Sequence, residues 1–179
     1  MQKDISSFNT LNIPMNRKIV KALNKIMTNY IDNHSKTWVQ RIDVTPPKGM
    51  AQEVISDFNH RFIECEKKQG FDPAYVMVRE IGKKGTMHYH MVLFLNGQKT
   101  QNTHVHFENA KKIRDKVIPG GSINYCNDGH KNGTMINRND PDLTNLLDVE
   151  RQSSYLAKTD EKQNVKGKTF FTSQIKKKP

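Results

Sequence analysis

The segment from Thr86 to Leu95 constrains the fold more than any other part of the chain. It places two histidines, His88 and His90, at the start of an apolar run, and such a run predicts a buried strand. Side chains at positions i and i+2 of a strand point to the same face of the sheet. The two imidazoles should therefore lie side by side on a rigid platform, where burial without partners is costly. Binding of a divalent metal ion is one way to satisfy such a pair.

A strand predicted just before this segment supplies a candidate third ligand. Pro73–Ile81 predicts a strand, and the glycine- and lysine-rich stretch Gly82–Gly85 predicts a hairpin turn. In the register that this turn implies, Glu80 faces His88 across the hairpin. Two imidazoles and one carboxylate suit Mg²⁺ or Mn²⁺ and leave coordination positions open for phosphate oxygens. The alternative for Glu80 is a salt bridge with a neighbouring lysine.

The other histidines differ in their surroundings. His104 and His106 form a second His-x-His pair, but they lie among polar residues with no apolar strand around them. This context predicts a polar loop entering a helix, and not a pair of metal ligands. His34, His60 and His130 are isolated in the sequence, which is typical of surface residues.

The hydrophobic pattern of the whole chain predicts a single α+β fold. The predicted elements are a helix over 15–31, a strand over 37–45, a helix over 50–69, strands over 73–81 and 86–95, a helix over 108–117, a strand over 122–126, a loop over 127–139, a helix from Asp140 to about Glu161 and a last strand over 169–172. After the first helix this order is the split βαβ arrangement, an antiparallel sheet of about five strands with helices packed on one face. The other face is left for function, and the last helix lies near it.

The charge of the chain indicates its class of partner. The chain has 179 residues and a net charge of +11, with a pI near 9.7. This favours a polyanionic partner, nucleic acid first and an anionic membrane second. No apolar run is long enough for a membrane span, and residues 1–25 lack a signal-peptide core. Cys65 and Cys126 are far apart with no second thiol nearby, which argues against a structural zinc site or a disulfide framework and favours a reducing cytoplasm.

A tyrosine near the C-terminal end lies among basic residues. On a helix, Arg151, Tyr155, Lys158 and Lys162 fall on one stripe. A tyrosine in such a stripe suits attack on phosphate, because nearby positive charge favours the phenolate and lysines hold the anion. The alternative is a solvated basic face that includes one tyrosine.

Together these features resemble the HUH endonuclease superfamily, in particular the single-tyrosine replication initiators of filamentous (inovirus-type) phages, satellite prophages and related plasmids. His88-Tyr89-His90 resembles the HUH motif, Tyr155-x-x-Lys158 resembles the nucleophile motif, and Arg41–Pro47 resembles the first-strand motif. The resemblance runs from about Trp38 to Ser173. The segment Lys168–Ser173 is similar to the family's closing segment, with a phenylalanine at position 171 where glycine is expected.

The resemblance implies a mechanism of strand transfer. His88, His90 and Glu80 would hold one divalent cation, Mg²⁺ or Mn²⁺, which polarises the scissile phosphate of single-stranded or hairpin origin DNA. Tyr155 would attack this phosphate, form a 5′-phosphotyrosine and free a 3′-OH as primer, so that the bond energy is kept for a later joining step.

Further residues take roles by the same resemblance. Lys158 would stabilise the phosphoryl charge or the phenolate, and Arg151 and Lys162 would hold flanking phosphates of the DNA. Asp43 lies on the neighbouring strand, where a role in supporting the metal ligands from behind and a plain structural role are equal alternatives.

The resemblance also implies a domain plan and a setting. Residues 1–179 would form a single HUH-type endonuclease domain, with an N-terminal helical extension over 1–36, a catalytic core over 37–173 and a basic tail over 174–179. The expected setting is the cytoplasm of a bacterial host, for a protein encoded by a phage or mobile element, with origin DNA and a host helicase as partners and no membrane.

Two other interpretations of the sequence stay open. A single-tyrosine transposase would share the site. A non-catalytic module would hold nucleic acid on its sheet by stacking and charge, and exposed aromatic residues on the open face would favour it.

Overall fold

The computed structural model describes residues 14–82, 85–126, 133–142, 144–159 and 167–174. The elements in chain order are α1 (Arg17–Asn33), β1 (Lys36–Thr45), α2 (Gln52–Lys68), β2 (Ala74–Ile81), β3 (Met87–Asn96), α3 (Thr103–Val117), β4 (Ser122–Tyr125), β5 (Thr134–Asn137), α4 (Thr144–Ser154), a 3₁₀ turn (Tyr155–Ala157) and β6 (Phe170–Thr172). The predicted α+β class is confirmed. In the described ranges, no helix has both the length and the apolar character needed to cross a membrane.

The strands form one antiparallel sheet in the order β4-β1-β3-β2-β6, and β5 shares the outer edge of β1 with β4. Because α2 joins β1 to β2 and α3 joins β3 to β4, the predicted split βαβ arrangement is confirmed. The sheet has six strands, one more than the five that we predicted. The additional strand, β5, lies within 127–139, which we predicted as a loop. It is a short edge strand whose partner is β1, and a pairing of this kind leaves little signal in the local sequence.

One face of the sheet is covered by α2 and α3. Odd-numbered residues of β3 point to this face, and Tyr89, Met91 and Leu93 are buried there. They pack with Phe58 and Phe62 of α2, two residues of the apolar stripe that predicted this helix. The two crossover helices thus lie together on one side, as expected for a split βαβ sheet.

The opposite face is partly covered by α1 and α4. The apolar stripe of α1 is buried, and it packs on Val92 and Phe94 of β3. Amphipathic helices of this kind bury their apolar stripe against a partner, so α1 is part of the core, and helices lie on both faces of the sheet. His88 and His90 have the same parity as Val92 and Phe94 and therefore share this second face.

Two helices differ from their predicted bounds. Helix α3 begins at Thr103, because the side chain of Asn102 caps it by accepting a hydrogen bond from the His104 backbone N–H at 3.0 Å. His104 and His106 therefore lie on a helix, and the prediction of a polar loop at these positions is wrong. Helix α4 runs from Thr144 to Ser154, shorter at both ends than the prediction of Asp140 to about Glu161.

The end of α4 is set by pairing with the segment that precedes α1. The Asn16 N–H donates to the Ala157 carbonyl at 2.7 Å, and the Thr159 N–H donates to the Pro14 carbonyl at 3.1 Å. Met15 and Lys158 form the bridge between these two bonds. Residues 157–159 thus use their backbone groups in this pairing instead of continuing the helix. The predicted single helical stripe through residues 151, 155 and 158 is therefore wrong, and Lys162 lies outside the described residues.

Candidate functional site

The β2–β3 hairpin carries the candidate metal ligands. Glu80 faces His88, and Val78 faces His90, so the predicted register is confirmed. The turn is closed by a hydrogen bond from the Gly82 N–H to the Thr86 carbonyl at 2.9 Å. A Cβ at Gly82 would lie only 3.1 Å from Nε2 of His88, so the glycine leaves room for this imidazole.

His90 is held between two carboxylates. Its Nδ1 lies 2.8 Å from Oδ1 of Asp43, and its Nε2 lies 3.1 Å from Oε2 of Glu80. The three side chains are mostly shielded from solvent, with exposed fractions of 15% for His90, 17% for Asp43 and 12% for Glu80. The predicted ligands Glu80 and His90 are thus in direct contact, and Asp43 lies behind the imidazole, where it can orient the ring towards a metal.

Strand β1 contributes two further residues that sequence reasoning did not assign. Arg41 donates from Nε and Nη2 to the two oxygens of Asp43, each at 2.9 Å, and Nη2 also lies 2.9 Å from Nδ1 of His90. Thr45 places its Oγ1 3.0 Å from Nδ1 of His88. A signal for both was present, because positions 41, 43 and 45 alternate along one strand and share a face.

The charges in this cluster shift two pKa values. Burial disfavours the charged form of His90, but hydrogen bonds to Asp43 and Glu80 outweigh this and raise the pKa of His90 to about 8. Burial likewise opposes ionisation of Asp43, but contacts with His90 and Arg41 lower the pKa of Asp43 to about 2. In the metal-free state near neutral pH, His90 is therefore mostly a cation that neutralises part of the carboxylate charge.

The donor set fits a divalent ion in its chemistry. Two imidazoles and a carboxylate lie on one face, and the Nδ1 atoms of both histidines face oxygen atoms, which favours lone pairs at Nε2 for a metal. Two ligands at adjacent octahedral positions of Mg²⁺ lie about 3 Å apart, close to the 3.1 Å between Nε2 of His90 and Oε2 of Glu80. Over the ranges that the structure describes, however, no three His, Cys, Asp or Glu side chains are already arranged to hold a metal. The ring centroids of His88 and His90 are 6.5 Å apart, so metal binding requires side-chain movement.

Tyr155 is exposed in the turn that follows α4. Half of its surface, 50%, is open to solvent, whereas Leu156 and Ala157 are buried on the sheet face that carries the histidines. Nζ of Lys158 lies 4.5 Å from the centroid of the Tyr155 ring. The structure thus brings the predicted nucleophile and its lysine together through a tight turn, although not along a helix.

Helix α1 relates this turn to the hairpin. At its C-terminal end, the Tyr30 ring packs against Phe94 with centroids 6.1 Å apart. From Tyr30 back to Arg17 the helix covers about 20 Å, and from Phe94 back to His88 the strand also covers about 20 Å. The Tyr155 turn is hydrogen-bonded to the residues just before α1. The turn and the histidines therefore occupy the same end of this face.

The remaining predicted residues and histidines lie as follows. Arg151 is exposed on α4, and its Nη2 is 3.9 Å from Oδ1 of Asp148. His34 is not the predicted surface residue, because its ring stacks on Tyr30 at 4.1 Å and its Nε2 lies 2.9 Å from a carboxylate oxygen of Asp72. His60 is exposed as predicted, and position 130 lies outside the described residues.

The second His-x-His pair does not join the hairpin site. His106 is fully buried, with its Nδ1 2.6 Å from Oε2 of Glu66 and its Nε2 2.8 Å from Oγ1 of Thr100. His104 is exposed on the same helix. His106 thus ties α3 to α2 on the far side of the sheet.

Comparison with known proteins identifies the family. The model of the replication-associated protein ORF2 family matches residues 37–164 of this chain. A search among curated proteins found no match. Because the family model covers well over half of the sequence, the chain belongs to this family of replication-associated proteins.

Proposed function

We propose that this replication-associated protein initiates replication by nicking single-stranded or hairpin DNA, with Tyr155 as nucleophile and one divalent cation, Mg²⁺ or Mn²⁺, at the β2–β3 hairpin. The observation that carries the proposal is the exposed Tyr155 turn at the same end of the sheet face as His88, His90 and Glu80. A nucleophile beside a Lewis-acid site is the combination that phosphodiester transfer needs.

His88, His90 and Glu80 would hold the cation, and Asp43 and Thr45 would orient the two imidazoles from behind through their Nδ1 atoms. When bound, the ion supplies positive charge that polarises a non-bridging oxygen of the scissile phosphate. Arg41, which is paired with both oxygens of Asp43, keeps that carboxylate charged and fixed.

Tyr155 performs the covalent step. Its Oη attacks phosphorus, the Oη–P bond forms, and the bond from phosphorus to the 3′ oxygen breaks. The phenol proton passes to solvent and the leaving 3′ oxygen takes up a proton, which gives a 5′-phosphotyrosine and a free 3′-OH. Lys158, whose ammonium lies over the ring, stabilises the phenolate and the charge on the phosphoryl group. Attack by a 3′-OH on the phosphotyrosine reverses the step and joins strands.

The charge distribution supports DNA as the substrate, and the packing argues against a purely stacking module. The net charge of +11 favours binding of a polyanion. A stacking platform needs exposed rings at the centre of the sheet, but Phe94 is buried under α1. Histidines and carboxylates stand on the more open end of that face instead.

The test is formation of a covalent adduct. Wild-type protein incubated with end-labelled single-stranded origin DNA and Mn²⁺ should give an adduct that survives denaturation. Tyr155→Phe should give none, while DNA affinity and the free energy of unfolding change little, because the lost hydroxyl belongs to an exposed side chain. Tyr75→Phe, a half-buried tyrosine of β2, is the matched control and should keep the adduct. An adduct with Tyr155→Phe would assign the nucleophile to another residue.

A further inference from the structure

A cleft lies between the first turn of α1 and β6. It has a volume of about 310 Å³ and is lined by Lys18, Gly167, Lys168, Thr169, Phe170 and Thr172. We call it the α1–β6 cleft. The proposed chemistry at Tyr155 and the hairpin does not use any of these residues.

The cleft is on the same sheet face as the candidate site and close to it. Phe170 pairs with Val78, and Val78 pairs with His90, so the three residues form one row across β6, β2 and β3. With strands about 4.8 Å apart, the backbone of Phe170 lies about 10 Å from that of His90. On its other side, α1 begins directly after the residues that pair with the Tyr155 turn. DNA bound between the turn and the hairpin therefore passes close to this cleft.

The lining residues have the chemistry that binds single strands. Lys18 and Lys168 are exposed and supply two ammonium groups, and the threonines supply hydroxyls. Phe170 is partly buried in the core cluster and partly lines the cleft. The described lining contains no carboxylate. Lysines beside an aromatic ring are how proteins bind the phosphates and stack the bases of single-stranded nucleic acid.

We propose that the α1–β6 cleft is a subsite for single-stranded DNA that flanks the scissile phosphate. Lys18 and Lys168 contact backbone phosphates, and Phe170 stacks on a base. The volume is that of a small-ligand pocket, which suits an unpaired nucleotide and not a duplex. The inference rests on the proposed function for its biological meaning, but it is tested by binding alone.

The test uses metal-free full-length protein and a fluorescent single-stranded oligonucleotide, with affinity measured by anisotropy across a salt series. Lys18→Ala with Lys168→Ala should weaken binding at least tenfold at low salt and reduce the slope of log affinity against log salt by about 1.4, which is two phosphate contacts. The matched control is Lys68→Ala with Lys112→Ala, which removes the same charge from exposed positions on α2 and α3 across the sheet. This control should keep most of the affinity and slope.

Phe170→Leu tests the stacking contact separately. It should weaken binding about fivefold with an unchanged salt slope, because stacking involves no counterion release. Should this variant lose its fold by circular dichroism, the lysine pair still decides the matter, since both side chains are exposed.

The outcomes separate this inference from the proposed function. If wild type forms the covalent adduct but the cleft and control double variants bind DNA equally well, the cleft is refuted and the nicking function stands. If the cleft variants lose affinity as expected but no adduct forms with wild type, the cleft stands as a DNA site and the nicking function fails.

Discussion

Replacing Asp43 with asparagine tests how β1 controls the candidate metal site. Asp43 contacts Nδ1 of His90 at 2.8 Å, and this contact contributes to the pKa of His90 being raised to about 8. An amide of the same size retains the shape but carries no charge. The substitution should therefore have two opposite effects on metal affinity, and they depend differently on pH.

The first effect is competition with the proton. A metal binds the neutral imidazole, and with a pKa of about 8 roughly one His90 in ten is neutral near pH 7 and about three in four near pH 8.5. The apparent Mn²⁺ affinity of the wild type should therefore rise about eightfold between these pH values. Without the Asp43 charge, the pKa of His90 should fall towards its ordinary value of about 6.5, so that the affinity of Asp43→Asn should depend much less on pH.

The second effect is loss of the carboxylate behind the ligand, which typically lowers metal affinity about 10- to 100-fold. This loss is fully visible near pH 8.5. Near pH 7, relief from proton competition offsets it by up to about eightfold. The deficit of Asp43→Asn relative to wild type should therefore be larger at the higher pH.

Isothermal titration with Mn²⁺ at the two pH values measures both effects. Asp57→Asn removes the same charge from an exposed ion pair with Arg61 on α2, and it should behave like wild type. Equal pH dependence in wild type and Asp43→Asn would refute the coupling between Asp43 and His90. An unchanged affinity near pH 8.5 would show that Asp43 does not support a metal ligand.

Two further predictions concern the histidines. His88→Ala should abolish the Mn²⁺-dependent adduct, whereas His104→Ala, an exposed position on α3, should leave it within twofold of wild type in the same gel assay; the opposite pattern would move the metal site. His106→Ala should lower the free energy of unfolding by about 3 kcal/mol in urea titrations, because it leaves Glu66 buried without its imidazole partner, and a loss below about 0.5 kcal/mol would mean that the buried pair adds nothing to stability.

The hairpin that carries the candidate ligands could be predicted because its signals are local. Alternation along β3 assigned His88 and His90 to one face, and the glycines of the turn fixed which residue of β2 stands opposite. Strand parity needs only the sequence of each strand and the length of the turn between them. The same reasoning reaches Asp43, because β1 pairs with β3 in a split βαβ sheet, but the register of that pair depends on distant packing.

The His106 contact could not be predicted in this way. A buried imidazole on α3 needs a partner, and that partner, Glu66, comes from α2, forty residues away in sequence. Nothing near Glu66 distinguishes it from the exposed acidic residues of the same helix. Composition around His104 and His106 suggested a polar loop because the polar face of an amphipathic helix and a loop have similar composition over a short window.

The turn at Tyr155 shows why the N-terminal helix cannot be treated as a separate extension. The family match begins at residue 37, yet the turn that presents Tyr155 is hydrogen-bonded to Pro14 and Asn16. Without that pairing, the carbonyl of Ala157 and the N–H of Thr159 would lose their partners, and unpaired backbone groups next to a buried segment are costly. The strand pair and the tyrosine are both in the matched region, but their common position at one end of the sheet depends on α1. The geometry on which nicking would depend is therefore a property of residues from 14 onwards, and not of the matched region alone.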